Sequence, residues 1–105
     1  MSLSVYLQSL INNLFKIIPM KEEELSGHKV YLQKYVESLA KEVSGACDTF
    51  PQLGRLADYI SICNTLNYIS KHEDEMTKRD IKSEIFKTID NVSAVQKKLE
   101  VRTDA

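Results

Sequence analysis

The feature that most constrains this chain is the spacing of its apolar residues, which recur at steps of three and four in four successive stretches. In the first, Leu3, Leu7, Leu10, Leu14 and Ile17 alternate in this way, and Ile11, Phe15 and Ile18 widen the stripe. That is the period of an α-helix with one face turned inward. The helix is expected to stop at Pro19, because the residue before a proline is pushed out of the α region. A second helix would bury Leu32, Tyr35, Val36, Leu39, Val43, Ala46 and Cys47. Ser26 is read as its N-cap, and Glu22, Glu23 and Glu24 would suit a start as early as Lys21. Pro51 opens a third helix, where a missing N–H costs nothing. A fourth begins at Thr77 and Asp80, which have capping-box spacing and are flanked by Met76 and Ile81 as a hydrophobic staple. Its stripe is Ile81, Ile85, Ile89, Val92, Val95 and Leu99, and it is expected to end near Glu100.

Three glycines and two prolines leave few places to turn, which favours long elements. With 105 residues there is room for one domain, residues 1–105. The predicted fold is all-α, an antiparallel up-down-up-down four-helix bundle, and no segment reads as a strand.

A net charge of −1 argues against a nucleic-acid partner, which needs a positive excess on one face. No stretch approaches the roughly 18 apolar residues of a membrane span. The run from Leu3 to Ile18 is broken by Gln8, Asn12, Asn13 and Lys16 and has no basic lead-in, so it is not read as a signal peptide. Cys47 and Cys63 are too few for a disulfide framework. On a helix starting near Pro51, Cys63 would lie about 18 Å along the axis, beyond reach of Cys47. Two reduced thiols in a cytoplasmic protein are expected.

The search for chemistry finds little. Neither His28 nor His72 has a second His or Cys one turn away, so neither makes half of a zinc site. His72-Glu73-Asp74-Glu75 lacks the alternating ligands and the glycine of a calcium loop and is read as a solvated turn. There is no phosphate-binding glycine loop and no serine with a histidine beside it on one helical face. No cofactor, metal or enzymatic activity is expected.

Two features point to contact with another molecule. The third helix carries no charge between Asp58 and Lys71, so it is either enclosed by neighbours or used as a contact surface, with Asn64 and Asn67 on it. From Met76 to Ala105, seven Lys/Arg face five Asp/Glu. Lys82, Lys87, Lys97, Lys98 and Arg102 are the candidate partner-binding residues, read either as a steering patch for an acidic partner or membrane surface or as ordinary surface charge. Tyr31, Tyr35, Tyr59 and Tyr68 are read as edges of the core.

Pro51-Gln-Leu53-Gly-Arg55-Leu56-Ala-Asp-Tyr59-Ile60 resembles the third-helix opening of the enterocin A immunity family, with weaker echoes in Ser9-Leu-Ile-Asn-Asn-Leu-Phe15 and Tyr31-Leu-Gln-Lys-Tyr35. Members of that family protect bacteria from class IIa bacteriocins. The resemblance implies a cytosolic four-helix bundle that binds the membrane components of the mannose phosphotransferase system, once these have engaged a bacteriocin, from the inner side. It places specificity in the C-terminal half, here the third and fourth helices and the tail. Pro51, Leu53, Arg55, Leu56 and Tyr59 match the motif, with a role in fixing helix packing. The alternative is a non-enzymatic helical interaction module that self-associates through the uncharged face of the third helix.

Overall fold

The computed structural model describes the backbone of residues 2–104 and the side chains of residues 2–99. The four predicted stretches are helical, no strand occurs among the described residues, and the architecture is an all-α bundle. The α-helices are α1 (Leu3–Phe15), α2 (Ile17–Leu25), α3 (Leu32–Thr49), α4 (Ala57–His72) and α5 (Lys78–Asp104), with short 3-10 helices at Pro51–Arg55 and Glu73–Glu75.

The first arm corrects the reading of Pro19. The helix does not stop there; it is interrupted three residues earlier, at Lys16, and resumes as α2 with Pro19 in its first turn. A proline inside a helix removes the hydrogen bond to the carbonyl four residues back and its ring crowds that carbonyl, here Phe15. The break therefore falls upstream of the proline. Ser26 likewise caps the end of α2 and not the start of the next helix: its N–H and hydroxyl both donate to the Glu22 carbonyl. Gly27 then takes φ +89°, the left-handed conformation that ends a helix without a Cβ penalty. Residues 28–31 are not helical, which delays α3 to Leu32.

Pro51 opens the five-residue 3-10 helix, and the main helix begins only after Leu56, whose extended backbone turns the corner into α4. The capping box is formed as expected. The Thr77 hydroxyl accepts from the Asp80 N–H and the Asp80 carboxylate from the Thr77 N–H, both at 3.1 Å. The helix it starts runs on to Asp104, past the expected end at Glu100.

The core is one continuous cluster: Leu7, Leu10, Leu14 and Ile17 from the first arm, Leu32, Val36, Leu39 and Val43 from α3, Tyr59, Ile62, Leu66 and Ile69 from α4, and Ile81, Ile85, Val92 and Val95 from α5. Ile89 and Leu99 sit at its edge, while Thr88 is buried, its hydroxyl satisfied by the Glu84 carbonyl one turn back. The main interfaces are α3 on α4, α4 on α5, and α5 on both α1 and α2. α1 and α3 approach each other without comparable backbone packing.

Because the Thr77–Asp80 box caps the start of α5 with two side-chain bonds, Thr77→Ala is expected to lower stability by about 1 kcal/mol in urea unfolding. Asp80→Ala added to it should cost little more, since the two bonds depend on each other.

Candidate functional site

The motif residues divide cleanly. Leu53, Leu56 and Tyr59 are buried, whereas Pro51 and Arg55 are exposed. Tyr59 is the hub of the corner between α3 and α4. Its hydroxyl donates to the Val43 carbonyl at 2.6 Å and lies 3.2 Å from the Tyr6 hydroxyl. Tyr59 has one proton to give, so Tyr6 is the donor of that second bond. Burial pushes both phenols above their ordinary value, Tyr59 far above it. Tyr59 is thus no edge residue, and Tyr31 and Tyr68 are more exposed than an edge would be; Tyr35 alone is half-buried.

Cys47 and Cys63 are half-buried and unpaired thiols, each pushed by burial above its ordinary value, so both are weak nucleophiles. With α4 starting at Ala57, Cys63 lies about 9 Å along it, half the distance expected from the sequence.

The acidic turn also differs from the expectation. Glu73 faces inward, while Asp74 and Glu75 face solvent. Opposite Glu73 is Lys21, which is 1% exposed. The Lys21 ammonium donates to the Glu73 carbonyl at 2.6 Å, to the Glu73 carboxylate at 3.2 Å and to Glu24 at 3.0 Å. All three of its protons are engaged. Glu22 and Lys78, 2.9 Å apart, add an ion pair between α2 and α5. Burial would lower the Lys21 pKa, but the bonds to Glu24 and Glu73 outweigh it and hold the ammonium above its ordinary value. Burial raises the Glu73 carboxyl against the opposing bond from Lys21. Among the described residues, no three His, Cys, Asp or Glu side chains gather as metal ligands, and no buried side-chain nitrogen or oxygen lacks a partner.

The candidate basic residues are not brought into one patch. Lys98 reaches Asp58 at the start of α4, 2.6 Å away, and Lys87, three turns earlier, shares its side of α5. Lys82 lies one turn before Phe86, on the side facing α1, where the Phe15 and Phe86 rings meet edge-on at 6.1 Å. Lys97 points about 100° away from Lys98 and lies about 22 Å along the helix from Lys82. The Arg102 side chain lies outside the described residues.

The uncharged stretch of α4 is both enclosed and open. Its inner face, Tyr59, Ile62, Leu66 and Ile69, fills the core. On the outer face Ser61, Asn64 and Asn67 are exposed beside Ile60 at 47% and Tyr68 at 54%. Sequence reasoning singled out the two asparagines but not Ile60 or the Phe15–Phe86 pair, because an apolar stripe does not by itself say which of its members point outward. Among the described residues, no helix is long and apolar enough to cross a membrane. Compared with models of protein families, with curated proteins and with solved structures, the chain finds no match in any of the three.

Lys21→Met should destabilise the protein by about 3 kcal/mol in chemical unfolding, because it strands the Glu73 carboxylate in the interior. Adding Glu73→Gln should recover part of that loss. The pH dependence has a definite sign. A lysine held above its ordinary value of 10.5 contributes stability that is complete below that pH and disappears as pH rises through the folded-state value. The raised phenols of Tyr6, Tyr35 and Tyr59 add a loss of the same sign to parent and variant alike. The stability difference between parent and Lys21→Met should therefore stay flat from neutral pH to about 10 and shrink above it.

Proposed function

We propose that this chain is a bacteriocin immunity protein that protects the cell by stoichiometric contact, binding a bacteriocin-engaged membrane receptor complex of the mannose phosphotransferase system from the cytosolic side. The observation that carries the reading is the outer face of α4. Between Asp58 and Lys71 it is uncharged, and it exposes Ile60 and Tyr68 beside amide and hydroxyl groups. Apolar anchors set among polar, uncharged neighbours suit a protein–protein interface, whose centre is depleted of charge. The segment that resembles the enterocin A immunity family leads directly into this helix, and Leu53, Leu56 and Tyr59 hold its start against the core. Lys87 and Lys98 on the neighbouring side of α5 would frame the contact and steer an acidic partner. No bond need be made or broken for such a protein to act; it works by occupancy.

The same face supports a second reading, a helical module that self-associates through α4. Ile62 and Leu66 are fully buried, so Ile60 is the position that tests the surface without disturbing the core.

Expressed in a strain sensitive to class IIa bacteriocins, the protein should confer survival, and Ile60→Asp with Tyr68→Asp should abolish it while leaving the helical circular-dichroism signal intact. Absence of protection across a broad panel of such peptides would reject the immunity reading. A dimer in sedimentation velocity that Ile60→Asp converts to monomer would establish the second reading instead.

A further inference from the structure

The side of the bundle formed by α1 and α5 carries positive charge with little to balance it. α1 holds no charged residue from Leu3 to Phe15, and the first carboxylate of the chain is Glu22, which Lys78 takes up at 2.9 Å. What α1 turns to solvent is Ser4, Val5, Gln8, Asn12 and Phe15. On α5, Arg79, Lys82 and Lys97 lie within about 40° of Phe86 around the helix axis, two turns before, one turn before and three turns after it. All three are exposed, and none bonds a carboxylate among the described residues. Between Arg79 and Lys97 the acid on that strip is Asp90, so three cations stand against one anion.

Phe15 and Phe86 join the two helices on this side. Their rings meet edge-on at 6.1 Å, and each keeps nearly half of its surface exposed, 45% and 44%. Half-buried Ile11, one turn before Phe15, continues the apolar surface along α1. Exposed rings and unpaired cations therefore share one face.

We infer that the α1–α5 face is a contact surface for an anionic lipid bilayer, with Phe15 and Phe86 entering the headgroup boundary and Arg79, Lys82 and Lys97 meeting lipid phosphates. Charge complementarity selects an acidic occupant, and α1 brings no carboxylate for the phosphates to repel. Two features select a bilayer over an acidic protein. The cations are strung along about 27 Å of α5 and not gathered around one point; lipid headgroups move laterally and meet charges wherever they stand. Two phenyl rings between them enter an acyl boundary with no shaped recess required of the occupant. The face lies on α1 and α5 and not on the outer side of α4, so this contact and the receptor reading can fail separately.

The test is co-sedimentation of the full chain with vesicles of phosphatidylcholine alone and of phosphatidylcholine mixed equally with phosphatidylglycerol. The chain should bind the anionic vesicles and not the neutral ones, and should be released at about 1 M salt, where the Debye length falls to about 3 Å. Lys82→Gln, which touches no packing, should weaken partitioning about fivefold, the share of one cation near an anionic surface. Phe15→Ser with Phe86→Ser should also weaken it, with circular dichroism checking that the helices remain. Lys41→Gln, at an exposed position on α3, changes the net charge equally and should leave binding as it is. The inference is overturned by any of four results: no binding to the anionic vesicles, equal binding to the neutral ones, a loss in Lys41→Gln as large as in Lys82→Gln, or tighter binding to soluble poly-glutamate than to the anionic vesicles.

Discussion

The inward stripe of the first arm governs much of this structure, because it does not end with its apolar residues. Leu3, Leu7, Leu10, Leu14 and Ile17 step by four and three, and the next position in that register is Lys21. The backbone carries the register through Pro19, so a lysine arrives where the geometry calls for a buried side chain. Its stem fills the site as an apolar residue would, and its ammonium must then find oxygens. Glu73 and Glu24 supply them, and the 3-10 turn after α4 is bent inward to do so. This one buried charge ties α2 to the connection between α4 and α5.

The parts of the fold that sequence reveals are those in which cause and effect are close together. Thr77 and Asp80 are three residues apart, and their capping box could be read directly. The apolar stripes of α3 and α4 could be read because helical period is a local property. What escaped was either a matter of which local rule wins or a matter of distance. Pro19 satisfies two rules at once, terminating one helix and starting another, and only the one-residue interruption at Lys16 separates them. Thr88 reads as polar, yet its hydroxyl is consumed by its own helix, which lets it enter the core. Lys21 and Glu73 are 52 residues apart, and nothing near either one announces the other.

The candidate surfaces show the same division. Lys82, Lys87, Lys97 and Lys98 look like a group along the chain, but a helix distributes them over different sides of α5. Ile60 and Ile62 look equivalent in sequence, and the 200° between them on a helix sends one to solvent and the other to the core. The seam between α1 and α3 has no sequence signature at all. It exists because α5 holds the first arm more closely than α3 does, leaving Glu42 in a cleft that no single helix defines.

Tyr59 gives the molecule an internal indicator. The chain contains five tyrosines and no tryptophan, so its near-ultraviolet absorption and emission come from phenols. One of these is sealed at the junction of three helices, bonded to Val43 and Tyr6. A phenolate there would face a backbone carbonyl, which cannot donate to it. Ionising Tyr59 would remove the proton that it donates to Val43, so this phenol binds the corner together only in its neutral form.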